Sequence, residues 1–235
     1  MLKFDPHVHT RFSDGAIFYN GLIDLKKLIK RDKITAFTIT DHNTTKGLDY
    51  TKRACKKLSL PFIPGIEIST KDGHIAAYGI EEWSHGAYTL KLPEALDILN
   101  DMNAVIVIAH PYDRRMGAKD LLFDPEVIKR VDGYELMNGA SPFANLKLSR
   151  MDRGPLKDLC VYSGSDCHSM VLYCKYHVEL DCNSTRLDDI LECMRDRRKV
   201  KPKGFMLDIL HWIADYPPAE TKRRKLKKLK RKKSP

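Results

Sequence analysis

What most limits the fold of this chain is a grammar repeated along residues 1 to 200: a short apolar run, a polar residue able to do chemistry, then a stretch with helical periodicity. Such alternation is the mark of βα units around a parallel sheet or barrel. The apolar runs predict strands near residues 3–8, 34–40, 61–69, 74–80, 104–109, 133–137, 160–164 and 175–180. Between them, Leu22, Leu25, Leu28 and Ile29 make one amphipathic stripe, and Ala95, Leu96, Leu99 and Met102 make another. Turn-favouring residues such as Asn20 and Pro93 open these stretches, and the stripes read as core-facing surfaces. Residues 68–80, broken at Lys71-Asp72-Gly73, read instead as a hairpin, because Asp-Gly between apolar runs supports a tight turn. One βα step is thereby replaced by antiparallel strands.

On this scheme His7 and His9, Asp41 and His42, Glu67, His110, Glu135 and Asn138, and Asp166 and His168 fall at or just past the carboxyl ends of their strands. In barrels and open α/β sheets that end carries the ligand site, so the pattern points to one shared centre. His7-x-His9 on extended chain turns both rings to one face, because strand side chains repeat with period two. Burying that many imidazoles and carboxylates together without a cation carries a heavy desolvation and repulsion penalty. Nitrogen and carboxylate donors suit Zn, Mn or Fe. His85, His177 and His211 stand apart from these segments and read as ordinary core or surface residues. Ser13 and Ser163 lack a base-and-orienter arrangement, which argues for turn or hydrogen-bonding roles rather than nucleophilic ones.

Six segments resemble one family: HVHTRFSDG at His7 to Gly15, TDHNT ending at Thr44, PGIEIS around Glu67, GHIAAYG around His74, AHP at Ala109 to Pro111, and SGSDCHS around Asp166 and His168. Together they resemble the PHP (polymerase and histidinol phosphatase) family of metal-dependent phosphoesterases, from near residue 3 to near 180. The resemblance implies a distorted seven-stranded (β/α) TIM-like barrel. It implies two or three divalent ions, Mn, Zn, Fe or Mg: one on His7, His9, Glu67 and Asp166, a second on Glu67, His74 and His110, a third on Asp14, His42 and His168. Glu67 would bridge the first pair, since a carboxylate can link ions about 3.5–4 Å apart. Asp41 and Asn138 are expected to support ligands or substrate rather than bind metal. Glu135 could face either the barrel or the helix layer.

The implied activity is hydrolysis of phosphate esters, small phosphomonoesters or nucleotides, by a metal-bridging hydroxide that needs no protein nucleophile. His42 or His168 would assist the leaving group, and Arg114, just beyond His110, is the candidate phosphate ligand ahead of Arg115, because a guanidinium fork matches phosphate geometry. The stretch between Glu67 and His110 has room for a hairpin and one helix only, which implies an open site. The Ser13-Asp14-Gly15 sequence disfavours histidinol phosphate, and a polymerase-linked member would need a far longer chain.

With 235 residues, 43% of them hydrophobic, one sizeable core is expected. The chain reads as a PHP barrel with a terminal helix over residues 1–216 and a basic tail over 217–235. Phe205, Leu207, Ile209, Leu210, Trp212 and Ile213 suggest that last helix, which Pro217-Pro218 would end. From Lys222 to Lys233 there are ten basic and no acidic residues, equal to the whole net charge of +10, so the basicity belongs to the tail. That run suits nucleic acid through counterion release, or serves as a solubilising end. The six cysteines form no CxxC pair, no leader-like start is evident, and no apolar run could cross a bilayer, so a reduced cytoplasmic protein without a membrane span is expected. A 5′-3′ exonuclease acting on oligonucleotides, or a nucleic-acid-binding protein with a structural metal centre, are the competing readings.

Overall fold

Nine strands and five α-helices form among the residues that the computed structural model describes, 1–13, 22–119, 121–141, 148, 154–168 and 173–204. In chain order they are β1 (Leu2–Phe4), α1 (Leu22–Asp32), β2 (Phe37–Ile39), α2 (Leu48–Lys57), β3 (Phe62–Thr70), β4 (Gly73–Tyr78), α3 (Leu92–Asp101), β5 (Val105–Ile108), α4 (Pro125–Ile128), β6 (Gly133–Asn138), β7 (Cys160–Gly164), β8 (Tyr176–Leu180), α5 (Leu187–Arg195) and β9 (Val200–Gly204). The expected terminal helix and basic tail lie outside the described residues.

Strands β2 to β7 form one six-stranded sheet in sequence order. Pairing is parallel for β2/β3, β5/β6 and β6/β7, and antiparallel where β4 enters, against both β3 and β5. The expected hairpin is therefore present, with Thr70 opposite Gly73. Gly73 sits at φ +137°, and a Cβ there would stand 2.5 Å from the Ala118 nitrogen, so the turn and the close approach both require glycine. Asp72 in this turn accepts the Leu92 N–H at 2.8 Å, and Glu94 accepts that of Lys91 at 2.7 Å, which satisfies two orphan donors at the start of α3.

The barrel implied by resemblance has seven strands; among the described residues the curled sheet has six, joined edge to edge by an irregular segment. Past β1 the chain runs between the two sheet edges, with Thr40 N donating to Val8 O (2.8 Å), Asp166 N to His7 O (2.9 Å) and His9 N to Cys167 O (3.3 Å). The expected strand over residues 3–8 thus breaks at Asp5-Pro6, where proline offers no N–H, and the strand expected over 34–40 keeps only Phe37–Ile39. β1 joins β8 and β9 in a separate antiparallel sheet, ordered β1-β8-β9. β9 had no sequence signal: Val200–Gly204 alternates exposed lysines around Pro202, a composition that reads as loop. As an edge strand paired with β8 alone, it tolerates proline.

Alternation along the central strands divides the core. Ile106 and Ile108 of β5, Ile75 and Ala77 of β4, and Ile66 and Ile68 of β3 pack outward against Ala95, Leu96 and Leu99 of α3. Val105, Val107, Ala76, Tyr78 and Ile63 face the other way, toward Tyr162, Val178 and Met194. Each fully buried leucine or isoleucine contributes about 1.5–3 kcal/mol. The α3 stripe behaves as expected except for Met102, which lies past the helix end and is 40% exposed. A third cluster seats α1 and α2 on β2 through Leu25, Leu28, Phe37, Ile39 and Cys55. All six cysteines are buried free thiols, and no helix among the described residues is long and apolar enough to cross a membrane.

Candidate metal centre

Period two on β3 sets Glu67 on the inner face with Ile63, opposite Ile66 and Ile68. Glu67 lies inside the strand rather than at its end, because β3 runs on to the hairpin turn. Residues 41–43 run beside it: Glu67 N donates to Asp41 O (3.2 Å) and Asn43 N to Glu67 O (2.8 Å), which brings His42 against the carboxylate. His74 opens antiparallel β4 and so reaches the same rim that His110 and Asp166 reach by following β5 and β7. His110 and Asp166 hold positive φ, +27° and +51°. Non-glycine residues in such conformations cost of order 1–3 kcal/mol and cluster at functional sites.

Five imidazoles converge on one carboxylate. Glu67 Oε1 stands 2.9 Å from both His74 Nδ1 and His110 Nε2; Oε2 stands 2.9 Å from His42 Nδ1, 3.1 Å from His7 Nε2 and 3.3 Å from His9 Nε2. Asp166 Oδ1 meets His9 Nε2 at 3.0 Å, His7 Nε2 at 3.7 Å and His168 Nδ1 at 3.9 Å. His7, His9, Glu67, His74 and His110 are wholly or almost wholly buried, while His42 is partly exposed and His168 exposed. Burial alone would raise the Glu67 carboxyl, but His7, His110 and His42 outweigh it and hold it well below the usual range. Burial likewise opposes charge on His7 and His9, yet Glu135, Glu67 and Asp166 lift His7 well above its ordinary value, and Asp166 and Glu67 lift His9 to about 9. Asp166 is lowered against its burial by His7 and His9.

Among the described residues, donor atoms fall into four overlapping triplets, each within 4.8 Å: His7, His9 and Asp166; His7, Glu67 and His110; His42, Glu67 and His74; His9, His42 and His168. The first matches three of the four residues expected on one ion. His74 and His110, expected together on a second, both touch Glu67 Oε1 but fall in separate triplets. His9 joins the His42 and His168 pair, and Asp14 lies outside the described residues. Orphaned atoms test the fit: among the described residues, His9 Nδ1, His74 Nε2 and His110 Nδ1 are buried without a hydrogen-bond partner. Several unsatisfied buried imidazole nitrogens beside carboxylates are what metal coordination would satisfy. The residues fit divalent ions.

Glu135, ambiguous in sequence, faces inward. Its Oε1 is 2.8 Å from His7 Nδ1, and its Oε2 accepts from His110 N (2.8 Å) and Asn138 Nδ2 (2.9 Å). A carboxylate on the far nitrogen fixes the ring and frees Nε2 to bind metal. Gly164 of β7 makes room for this pair: a Cβ there would be 2.5 Å from His7 Cβ and 2.7 Å from Glu135 Oε1. Asp41 does not join the cluster; it accepts from Thr10 N (2.6 Å) and Thr10 Oγ1 (2.7 Å), anchoring the strap that follows His9. Asp5 was missed by sequence reasoning. Wholly buried, it accepts from Ser165 N (2.9 Å), Cys174 N (2.8 Å) and His7 N (3.2 Å), tying the His7 and Asp166 segments together. An acid just before proline at a strand end was its sole signal.

Ser13 Oγ donates to Thr10 O at 3.1 Å and Ser163 Oγ to Lys203 O at 2.5 Å, structural contacts of the expected kind. Arg114 and Arg115 are both exposed in the loop after β5. Arg115, not Arg114, lines the cleft that opens beside His74.

An α/β fold with a histidine- and carboxylate-rich centre at one rim defines a class of metal-site proteins. Within it, the chain belongs to the PHP domain family, whose family model matches residues 5–196. An uncharacterised protein of Methanocaldococcus jannaschii is 30% identical over 171 residues, 71% of this chain; the chain spans 65% of that relative's length. A 3′,5′-nucleoside bisphosphate phosphatase of Chromobacterium violaceum is 34% identical over 85 residues, 34% of this chain and 29% of that protein. Among solved structures, a two-domain protein of Bacteroides vulgatus containing a predicted PHP-like metal-dependent phosphoesterase shares the fold, with TM-score 0.64, 18% identity, and coverage of 86% of this chain and 64% of that one.

Proposed function

We propose that the chain is a metal-dependent phosphoric ester hydrolase acting on small phosphomonoesters or nucleotides. The observation that carries this is the convergence of five imidazole nitrogens within 3.3 Å of the Glu67 carboxylate, with Asp166 alongside. His7, His9, Glu67, His74, His110 and Asp166 would hold two ions, and His42 and His168, with Asp14, a third. Bound there, divalent ions supply an activated water and neutralise phosphoryl oxygens.

The chain's own residues do the rest. Glu135 and Asp5 hold His7 and the Asp166 segment in place. His42 and His168, the rings of the cluster that solvent reaches, would assist the leaving group. Arg114, exposed in the loop after β5, is the proposed partner of the transferred phosphate. The proposal includes a barrel domain over residues 1–216, a reducing cytoplasmic setting, and a tail, Lys222 to Lys233, that contacts nucleic acid through charge.

Chain loaded with Mn²⁺ or Zn²⁺ should release phosphate from a nucleoside monophosphate or 3′,5′-bisphosphate faster than it degrades a 5′-phosphorylated oligonucleotide. Glu67→Gln should lose both metal and turnover while keeping its circular dichroism spectrum; full activity in that variant would refute the central role of Glu67. Preference for the oligonucleotide, weakened by salt and by loss of residues 219–235, would favour the exonuclease reading.

A further inference from the structure

A cleft of about 470 Å³, in the size range of small-ligand sites, lies between the segment that follows β4 and the end of α3. None of its lining residues belongs to the metal centre. Ile98 of α3 and Met102 just past it, four residues apart and so on one helix face, give the cleft an apolar wall. Trp83 and His85 line it as an aromatic pair, with ring centroids 5.1 Å apart and planes tilted by 58°. Trp83 Nε1 is buried, so the indole turns carbon surface rather than its N–H to the cleft. Glu82 is the one carboxylate among the lining residues, and no lysine or arginine is among them. It is exposed and makes no ion pair with another described residue, whereas its neighbour Glu81 is taken by Lys52 at 2.7 Å. Asp101, exposed at the end of α3 three residues beyond Ile98, adds a second carboxylate where the helix dipole is already negative and no basic residue of the last turn offsets it. Cations bonded near that helix end are engaged elsewhere: Arg195 with Asn103 O (2.7 Å) and Asp132 (3.4 Å), and Arg130 with Asp97 (2.6 Å). Lys46, which follows Thr45 of the lining, is exposed and pairs with neither acid. An apolar and aromatic surface edged by uncompensated carboxylates is complementary to cations on a hydrocarbon stem.

We propose that this cleft binds a free alkyl polyamine, whose methylenes cover Trp83, Ile98 and Met102 while its ammonium groups meet Glu82 and Asp101. A single lysine or arginine side chain would answer one carboxylate; a polyamine supplies a cation for each. The site shares no residue with the metal centre, so it stands or falls apart from the phosphoesterase reading. Burial of the stem and attraction of the cations are separable contributions, and each predicts its own pattern of losses.

The chain has two tryptophans, so Trp212→Phe leaves Trp83 as the sole one and makes its fluorescence a reporter of the cleft. Titration of that full-length protein at pH 8 and low salt compares spermidine, hexylammonium, 1-hexanol and a lysine residue blocked at both ends. Spermidine should bind most tightly, hexylammonium next and hexanol least, and added salt should weaken spermidine but not hexanol. Glu82→Gln and Asp101→Asn, both at exposed positions, should each weaken spermidine about two- to fivefold, the range for exposed ion pairs, and leave hexanol unchanged. Hexanol binding as tightly as hexylammonium would overturn the cation assignment, and unchanged spermidine affinity in both variants would remove the carboxylates from the site. Blocked lysine binding as tightly as spermidine would give the cleft to a protein side chain and overturn the free polyamine. A Trp83 signal that no probe alters would overturn the site altogether.

Discussion

Replacing Glu135 by glutamine should weaken metal binding without unfolding the chain. The side chain keeps its shape but loses one acceptor. In wild type, Oε1 serves His7 Nδ1 at 2.8 Å, and Oε2 serves His110 N and Asn138 Nδ2 at 2.8 and 2.9 Å. If the amide oxygen of the glutamine takes the two donors, its NH2 faces His7 Nδ1. That nitrogen must then accept, and the ring proton moves to Nε2, the atom 3.1 Å from Glu67 Oε2 and 3.7 Å from Asp166 Oδ1. A protonated nitrogen cannot bind a cation. With the amide turned the other way, NH2 opposes two donors. Either arrangement forfeits a hydrogen bond to a charged group, about 1.5–3 kcal/mol, which corresponds to roughly ten- to hundredfold in affinity and matches the usual effect of removing a ligand's orienting partner. Competition with a chromogenic chelator measures this directly, with circular dichroism as the fold control. Affinity within twofold of wild type in a folded Glu135→Gln protein would refute tautomer control of His7.

Gly164→Ala should lower both metal content and stability, by about 1–3 kcal/mol for the overpacking, since its Cβ would meet His7 Cβ at 2.5 Å; full metal loading with an unchanged Tm would contradict the close approach. Leu96→Ala, in the fully buried α3 face, should cost about 2–5 kcal/mol in urea unfolding yet leave chelator competition unaltered, and a cost under about 0.5 kcal/mol would mean that α3 is not packed as described. In EDTA-treated protein His9 is lifted from 6.5 to about 9 by Asp166 and Glu67 against its burial. A raised folded value gives stability that is complete below 6.5 and lost as pH climbs toward 9, so the metal-free Tm should fall across that window. Saturating divalent metal should stabilise increasingly over the same range, because ligand rings must be deprotonated, and a metal-free Tm that rises there would sink the assignment.

The alternating pattern in sequence was enough to locate seven of the nine strands within a few residues and to read the 68–80 segment as a hairpin, because burial on both faces of β5 or of β3–β4 demands unbroken apolar runs. β1 fell short of its expected length at Asp5-Pro6, and β9 escaped notice because an edge strand paired on one side needs no apolar signature. The convergence of His7, His9, His42, His110, Asp166 and His168 was legible for a related reason, since they follow strand ends, whereas Glu67 sits within β3 and His74 near the start of β4.

Sequence by itself pointed to the histidines and carboxylates that converge and to the rim where most of them sit. Only the tertiary structure decided which oxygen each ring meets, that Glu135 faces inward onto His7 while Asp41 turns away to Thr10, and that Arg115 rather than Arg114 borders the His74 cleft. The physical reason is one of range. Periodicity and turn chemistry act over a few residues and fix the face a side chain occupies. Partner and direction are set by contacts such as His7 with Glu135 or Asp5 with Cys174, between segments 128 and 169 positions apart, which exist only once the sheet has curled and its edges have met.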